Sequence, residues 1–148
     1  MIKMSSKYEE SAGAVIFYMD NSEPVFLLLK YPTYWGFAKG LIEKKENIEE
    51  TARREIEEET GFKNINIIPG FQYIQEWFYK LNGQLIKKKA TFLLAEIPKE
   101  QAEKVVLSQE HEGFAWLKFE DALKKMKIKN NKEMLKKACE FIKKQTNA

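Results

Sequence analysis

Seven of the fifteen residues from Glu46 to Thr60 are acidic and two are arginine, a local charge of −5 in a 148-residue chain whose total is +3. Carboxylates at that density can hold a hard divalent cation, which prefers oxygen ligands, and a cation so held can serve hydrolytic chemistry. Few other chemistries are open. The chain has one cysteine, Cys139, and one histidine, His111, so it makes neither an internal disulfide nor a paired-imidazole zinc site. Cys139 falls in a helical pattern with Leu135 and Ile142 and reads as a buried, inert thiol.

The angular positions of the carboxylates separate solvated residues from those with something to explain. Asn47 to Thr60 contains no glycine or proline and predicts a helix capped by Gly61. At about 100° per residue from Ile48, Ala52 and Ile56 form an apolar stripe near 40° and 80°, and Glu49, Glu50, Arg53 and Glu57 lie between about 100° and 200° as a solvated face. Glu55, Glu58 and Glu59 fall near 340°, 280° and 20°, overlapping or adjoining the stripe that must face the core. Three carboxylates there repel one another and lose hydration unless arginine or a multivalent cation neutralises them. The angles admit a salt-bridge cluster with Arg53, Arg54 and nearby lysines, or a site for Mg²⁺ or Mn²⁺.

The elements around this helix are interleaved. Ser11 to Met19 and Pro24 to Tyr31 are β-branched and aromatic runs joined by Asp20-Asn21-Ser22-Glu23, a hairpin signal. Tyr31 to Gly40 reads as a loop. Phe62 to Tyr79 suggests one or two strands broken at Pro69-Gly70, Asn82-Gly83 a hairpin turn into Gln84 to Ile97, and Gly113 to Lys118 a short last strand. Apolar spacing predicts terminal helices over Glu120 to Lys127 and Lys132 to Lys144, with mobile tails at Met1 to Ser6 and Gln145 to Ala148. The expected class is α/β (α+β), a three-layer sandwich with a central mixed sheet, in one domain over residues 1–148.

Composition narrows the partners. No apolar stretch approaches the roughly 20 residues of a membrane span, and the start lacks the apolar core of a secretory signal, which leaves the cytoplasm as the default. Lysines are spread along the chain instead of forming an arm or stripe, so bulk nucleic-acid binding is not implied. A small-molecule partner and a monomer or weak homodimer are expected.

Gly40, Glu46, Arg54, Glu55, Ile56, Glu58, Glu59, Gly61 and Phe62 match, without gap or substitution, the Nudix box G-x5-E-x7-R-E-U-x-E-E-x-G-U, with U an apolar residue. Seven fixed positions, each filled by chance at roughly 0.07, coincide on the order of once in a hundred million starts, which removes chance as the source. The chain thus resembles the Nudix hydrolases, and its pattern of hairpin, loop, box helix, strands and terminal helix suits that family's α/β/α sandwich. The resemblance implies hydrolysis of a nucleoside diphosphate linked to another group, with Glu55, Glu58 and Glu59 binding Mg²⁺ (or Mn²⁺) and helping to activate water. It also implies the Gly40 carbonyl as a further ligand, and Arg54 and Glu46 paired to hold the ligand carboxylates.

Leu107-Ser108-Gln109-Glu110-His111 with Trp116-Leu117 is similar to a segment of the asymmetrical dinucleoside tetraphosphate hydrolases, which cut diadenosine tetraphosphate to ATP and AMP. That resemblance implies Glu110 as a further metal ligand or general base, with His111 an ordinary residue orienting its loop and Trp116 core. Lys39 matches a lysine just before the box glycine and is read as phosphate-binding. Tyr31 and Tyr34-Trp35 lie where those enzymes place substrate contacts, and Tyr79 matches a tyrosine that contacts adenine. Lys88 matches a phosphate-binding lysine, on the strand face opposite Lys87 and Lys89. Two departures stand out: Ala38 where proline is common, and Asn131 where an aromatic often completes an adenine sandwich. The expected substrate is a nucleotide polyphosphate, first diadenosine tetraphosphate. RNA 5′ ends, nucleoside triphosphates and nucleotide sugars are the rivals within the family, and a non-catalytic nucleotide sensor is the rival outside catalysis.

Overall fold

The computed structural model describes residues 6–146. Two long strands carry the sheet. β1 (Ser6–Asp20) lies parallel to β7 (Gln84–Glu96) over twelve residue pairs, from Ser6 opposite Leu85 to Phe17 opposite Glu96. The other edge of β1 serves two antiparallel partners in turn. Its second half returns through a turn at Asn21 and Ser22, both at positive φ, into β2 (Glu23–Lys30). Its first half pairs with β4 (Ala38–Leu41). Further antiparallel pairings join β3 (Trp35–Gly36) and β8 (Gly113–Lys118) to β2, and β5 (Asn66–Ile67) and β6 (Tyr73–Leu81) to β7. The mixed α+β sheet of the expected class is therefore present.

Alternation along β1 sends side chains into two cores. Ala14 and Ile16 join Leu27, Leu29, Ala38 and Ala95 beneath helix α1 (Ile48–Thr60), which contributes Ile56. Val15 and Phe17 join Phe26, Leu28 and Phe92 on the opposite face. That face is covered by α3 (Phe119–Lys125) and α4 (Lys129–Thr146). Cys139 is buried there. A short α2 (Lys99–Ala102) follows β7.

Three local readings change. The segment Tyr31 to Gly40, expected as loop, contains β3 and the start of β4; Gly36 and Gly40 had hidden the strand pattern, and pairing with β2 and β1 supplies what propensity lacks. β1 begins earlier than Ser11 because its charged start still finds a full ladder on β7. Of the tails expected to be mobile, Ser6 opens β1, and Gln145 and Thr146 end α4; the rest lies outside the described residues. Among the described residues no helix is long and apolar enough to cross a membrane.

Glycine sets how close β4 comes to β1. A Cβ on Gly13 would stand 1.9 Å from the Ala38 carbonyl oxygen and 2.7 Å from the Lys39 Cβ. Neither neighbour is the free end of a side chain. Gly13→Ala is therefore expected to lower stability by about 2 kcal/mol or more through overpacking, measured by urea unfolding. Gly113→Ala, whose Cβ would meet nothing within 4 Å, is the control and should change stability by no more than about 0.5 kcal/mol.

Candidate active site

Helix α1 is fixed at both ends by its own sequence. Asn47 and Glu50 form a reciprocal capping box, the Glu50 N–H donating to Asn47 Oδ1 at 2.8 Å and the Asn47 N–H to Glu50 Oε1 at 3.0 Å. Gly61 closes the helix at φ 80°, its N–H donating to the Glu57 carbonyl at 2.8 Å. The left-handed turn is where glycine avoids the Cβ penalty. Held this way, the helix turns Ile56 to the sheet. The burial of the three glutamates follows their angle from that contact: side-chain exposure is 3% for Glu59, 12% for Glu55 and 56% for Glu58. Glu59 and Glu55 lie against the sheet. Glu58, expected at the core edge with them, points outward because it sits about 120° from the centre of the stripe.

Arg54 binds the carboxylates together. Its Nε and Nη2 donate to both oxygens of Glu46, at 2.7 and 3.0 Å, a bidentate pair. Its Nη1 donates to Glu55 at 2.8 Å and Glu58 at 3.2 Å, and Nη2 also reaches the Leu41 carbonyl at 3.0 Å. Glu46 accepts further bonds from the Glu43 N–H and the Thr51 hydroxyl. Hydrogen bonding to Arg54 first, then to the Glu43 amide, holds the Glu46 carboxyl down at about 2. Arg53 instead serves the outer face, binding Glu49 and the Ile65 carbonyl.

Arg54 does not reach Glu59. The Oε1 of Glu59 meets His111 Nε2 at 2.6 Å, and its buried Oε2 has no hydrogen-bond partner. Burial, then the charge of Glu55, pushes the Glu59 carboxyl well above the usual carboxylate range, with Glu110 adding to the shift. The neighbouring Ser108 hydroxyl is also buried without a partner. Ligand atoms of Glu59, Glu110 and His111 all lie within 4.8 Å of one another. Burial lowers the His111 pKa, which favours the neutral form of the imidazole. Gly40 completes the cradle: a Cβ there would fall 2.1 Å from a carboxylate oxygen of Glu55. Gly40, Glu55, Glu58, Glu59, Ser108 and Glu110 line a cleft of about 580 Å³, with His111 behind Glu59. An orphaned buried oxygen, mutually repelling carboxylates and a backbone that only glycine permits fit a hard divalent cation held by oxygen ligands.

A second, more apolar cleft of about 350 Å³ adjoins the first, and Lys39 lines both. Register explains the division: Gly40 faces α1, so its neighbour Lys39 faces the other side of the sheet. There its Nζ lies 4.8 Å from the centre of the Trp77 ring. Burial, then the nearby Lys88 charge, lowers the Lys39 pKa. Lys88 stands opposite Trp77 on the paired strands, with its Nζ 5.4 Å from the Tyr79 ring. Lys87, on the opposite face, pairs with Glu76 at 3.3 Å. Tyr31 and Tyr34 stack at 4.7 Å with an interplanar angle of 5°, and Tyr31 donates to the Phe37 carbonyl at 2.7 Å. On the far wall, Gln75 Nε2 donates to Asn131 Oδ1 at 3.0 Å.

The residues named from the sequence thus fall into two adjoining groups. Arg54, Glu55, Glu58, Glu59, Glu110 and Gly40 line the acidic cleft, with Glu46 joined to it through Arg54, while Tyr31 and Tyr34 line the apolar one and Lys88 with Tyr79 lies beside Trp77 of its lining. Gly61 stays a helix cap, away from both. Trp116 donates to the Ala102 carbonyl at 2.9 Å and packs on Tyr18 and Phe62, a core position. Sequence reasoning underrated His111, which reaches beyond its loop to Glu59, and passed over Ser108, Gln75 and Trp77. The only signal for His111 was its place beside Glu110; strand parity with Tyr79 was available for Trp77 and Gln75.

The NUDIX domain model matches residues 7–138. The asymmetrical bis(5′-nucleosyl)-tetraphosphatase of Mus musculus is 36% identical over 129 residues, covering 84% of this chain and 84% of that protein. The Caenorhabditis elegans protein of the same name is 27% identical over 136 residues, covering 90% and 96%. A crystal structure of a C. elegans Ap4A hydrolase binary complex superposes with a TM-score of 0.77 at 27% identity, over 90% of this chain and 97% of that one. The E. coli dihydroneopterin triphosphate pyrophosphohydrolase, at 21% identity and a TM-score of 0.66, shares the fold. Its box residues gathered about one helix end, its sheet and these relatives make the chain a member of the Nudix family of hydrolases.

Proposed function

We propose that this protein is a hydrolase of diadenosine tetraphosphate and related dinucleoside polyphosphates, dependent on Mg²⁺ (or Mn²⁺) and releasing ATP and AMP, with residues 1–148 working as one domain. The observation that carries the reading is the buried, unpartnered Oε2 of Glu59 beside Glu55 and Glu110, in a cleft that shares Lys39 with an aromatic pocket. The names of the mouse and worm relatives support the choice of substrate.

Glu55, Glu59 and Glu110, with Glu58 at the rim and the Gly40 carbonyl, would hold the cation. Once bound, it supplies countercharge to the polyphosphate and acidifies a water. Arg54 keeps Glu55 and Glu58 aimed by fixing them to the immovable Glu46. Glu110, exposed and with a carboxylate oxygen within 4.8 Å of Glu59, would serve either as that further cation ligand or as the base that takes a proton from an attacking water. Lys39 and Lys88 stabilise negative charge that grows on the phosphate oxygens in the transition state. Tyr31, Tyr34 and Tyr79 flank the nucleoside, and Asn131 offers a polar edge where an aromatic would stack. Loss of one stacking partner weakens the base contact by about 1 to 3 kcal/mol and relaxes base preference without altering the chemistry.

Three outcomes test this reading. Incubation with diadenosine tetraphosphate and magnesium in ¹⁸O-labelled water is expected to yield ATP and AMP with label in one product. No ATP release, alongside rapid turnover of an RNA 5′ end, nucleoside triphosphate or nucleotide sugar, would reassign the substrate. Glu58→Gln with Glu59→Gln should lower kcat by about 100-fold or more while the circular dichroism spectrum is kept; unchanged turnover would move the metal elsewhere.

Stability against pH provides a readout independent of turnover. The Glu59 pKa is raised on folding, so without divalent cation the folded chain binds the extra proton and stability falls as pH rises above about 4.5. Glu46 has the opposite sign: its stabilisation is complete above about 4.5 and is lost as pH falls toward about 2. Thermal melts should show both arms. Magnesium and Glu59→Gln should each flatten the alkaline arm, Glu46→Gln the acid arm; an alkaline arm indifferent to both magnesium and Glu59→Gln would refute the buried-carboxylate assignment.

A further inference from the structure

Beyond the aromatic pocket lies a third cleft, of about 430 Å³, where Lys30, Tyr34 and Trp35 from the β2–β3 segment meet Lys124, Lys125 and Lys127 from the end of α3. No carboxylate lines it. All four lysines are exposed, and among the described residues none has an ion-pair partner within 4.0 Å. Glu120 and Asp121, one turn back on α3, leave Lys124 and Lys125 unpaired; Lys125 Nζ instead sits 4.6 Å from the centre of the Trp35 ring. A helix C-terminus favours cations in its last turn. That accounts for Lys124 and Lys125 but not for the convergence of Lys30 and Lys127 on the same cavity. Four like charges around one hollow repel one another, and an anion relieves that repulsion.

The three clefts follow a fixed order. The acidic cleft shares Lys39 with the aromatic pocket, the aromatic pocket shares Tyr34 with the basic cleft, and the acidic and basic clefts share no residue. The nucleoside pocket therefore lies between a site for 5′ phosphates and a site for another anion. On a nucleotide, the backbone leaves the ribose opposite its 5′ phosphates through the 3′ oxygen. Resting on the nucleoside assignment of the aromatic pocket, we propose that the basic cleft binds a phosphate on the ribose 3′ oxygen of the nucleotide held there, as a terminal monoester or as the first phosphodiester of a short RNA.

Isothermal titration of the full chain in magnesium buffer with AMP, adenosine 3′,5′-bisphosphate and the dinucleotide pApA tests it. The bisphosphate is expected to bind roughly 5- to 10-fold more tightly than AMP, with an advantage that shrinks as salt is added. In the double variant Lys124→Gln, Lys127→Gln, the ratio of the two affinities should fall close to one. An advantage shared by pApA identifies a chained nucleotide as the ligand; one confined to the bisphosphate identifies a terminal phosphate. Equal affinities in the natural protein, or an advantage that survives in the double variant, would overturn the 3′-phosphate site alone. Failure of both AMP and the bisphosphate to bind would overturn the nucleoside pocket and this site with it.

Discussion

Too much negative charge on one turn of a helix that must touch the sheet is the constraint around which this molecule is arranged. Arg54 answers part of it. A guanidinium has five N–H donors, and Arg54 makes five hydrogen bonds, to Glu46, Glu55, Glu58 and the Leu41 carbonyl. Yet it brings a single positive charge to four carboxylates, those of Glu43, Glu46, Glu55 and Glu58, and does not touch Glu59. Glu59, the most buried of the set, is left with the His111 imidazole on one oxygen and no hydrogen bond to the other. A buried carboxylate in that position is destabilising unless it is protonated or faces a cation. That unmet charge is what a hard divalent cation would relieve.

Close backbone approach makes the arrangement geometrically feasible. β4 can lie against β1 because Gly13 leaves room for the Ala38 carbonyl, and Glu55 can lie against β4 because Gly40 leaves room for its carboxylate. The two glycines act in series: the first sets where β4 runs, the second lets the helix carboxylate reach it. Side-chain volume at either point would separate the acidic helix from the strand that carries Lys39. Rigid regular elements, not a loop, therefore hold the carboxylates and the lysine in register, which is what charge stabilisation in a reaction requires.

Lys39 joins the two halves of the site. Its backbone lies on the acidic side and its side chain on the aromatic side, so one residue borders both clefts. Its ammonium is partly desolvated and lies near Lys88, conditions under which a cation gains from an arriving phosphate. Clefts of acidic, aromatic and basic character are linked in turn through Lys39 and Tyr34. The overall charge of +3 conceals this separation because the acidic helix and the basic rim nearly cancel.

Much of the site was legible from the chain alone because its signals are local. A helix bounded by Asn47 and Gly61 has its angular faces set by residue order, so the inward placement of Glu59 and Glu55 follows from Ile56. The spacing of Gly40 and Glu46 to Arg54 likewise lies within one short segment. The Asn82-Gly83 turn and the β-branched and aromatic runs of β1 and β2 predict their strands for the same reason. What residue order determined was thus the chemistry available, the helix that presents it and the class of fold. Only the tertiary structure decided which distant groups complete it: His111 on Glu59 across 52 residues of chain, Trp77 under Lys39, and Lys30 gathered with lysines from the end of α3. Those pairings depend on sheet register and on helices docking across it, and no window of sequence contains the long-range packing energy that selects them.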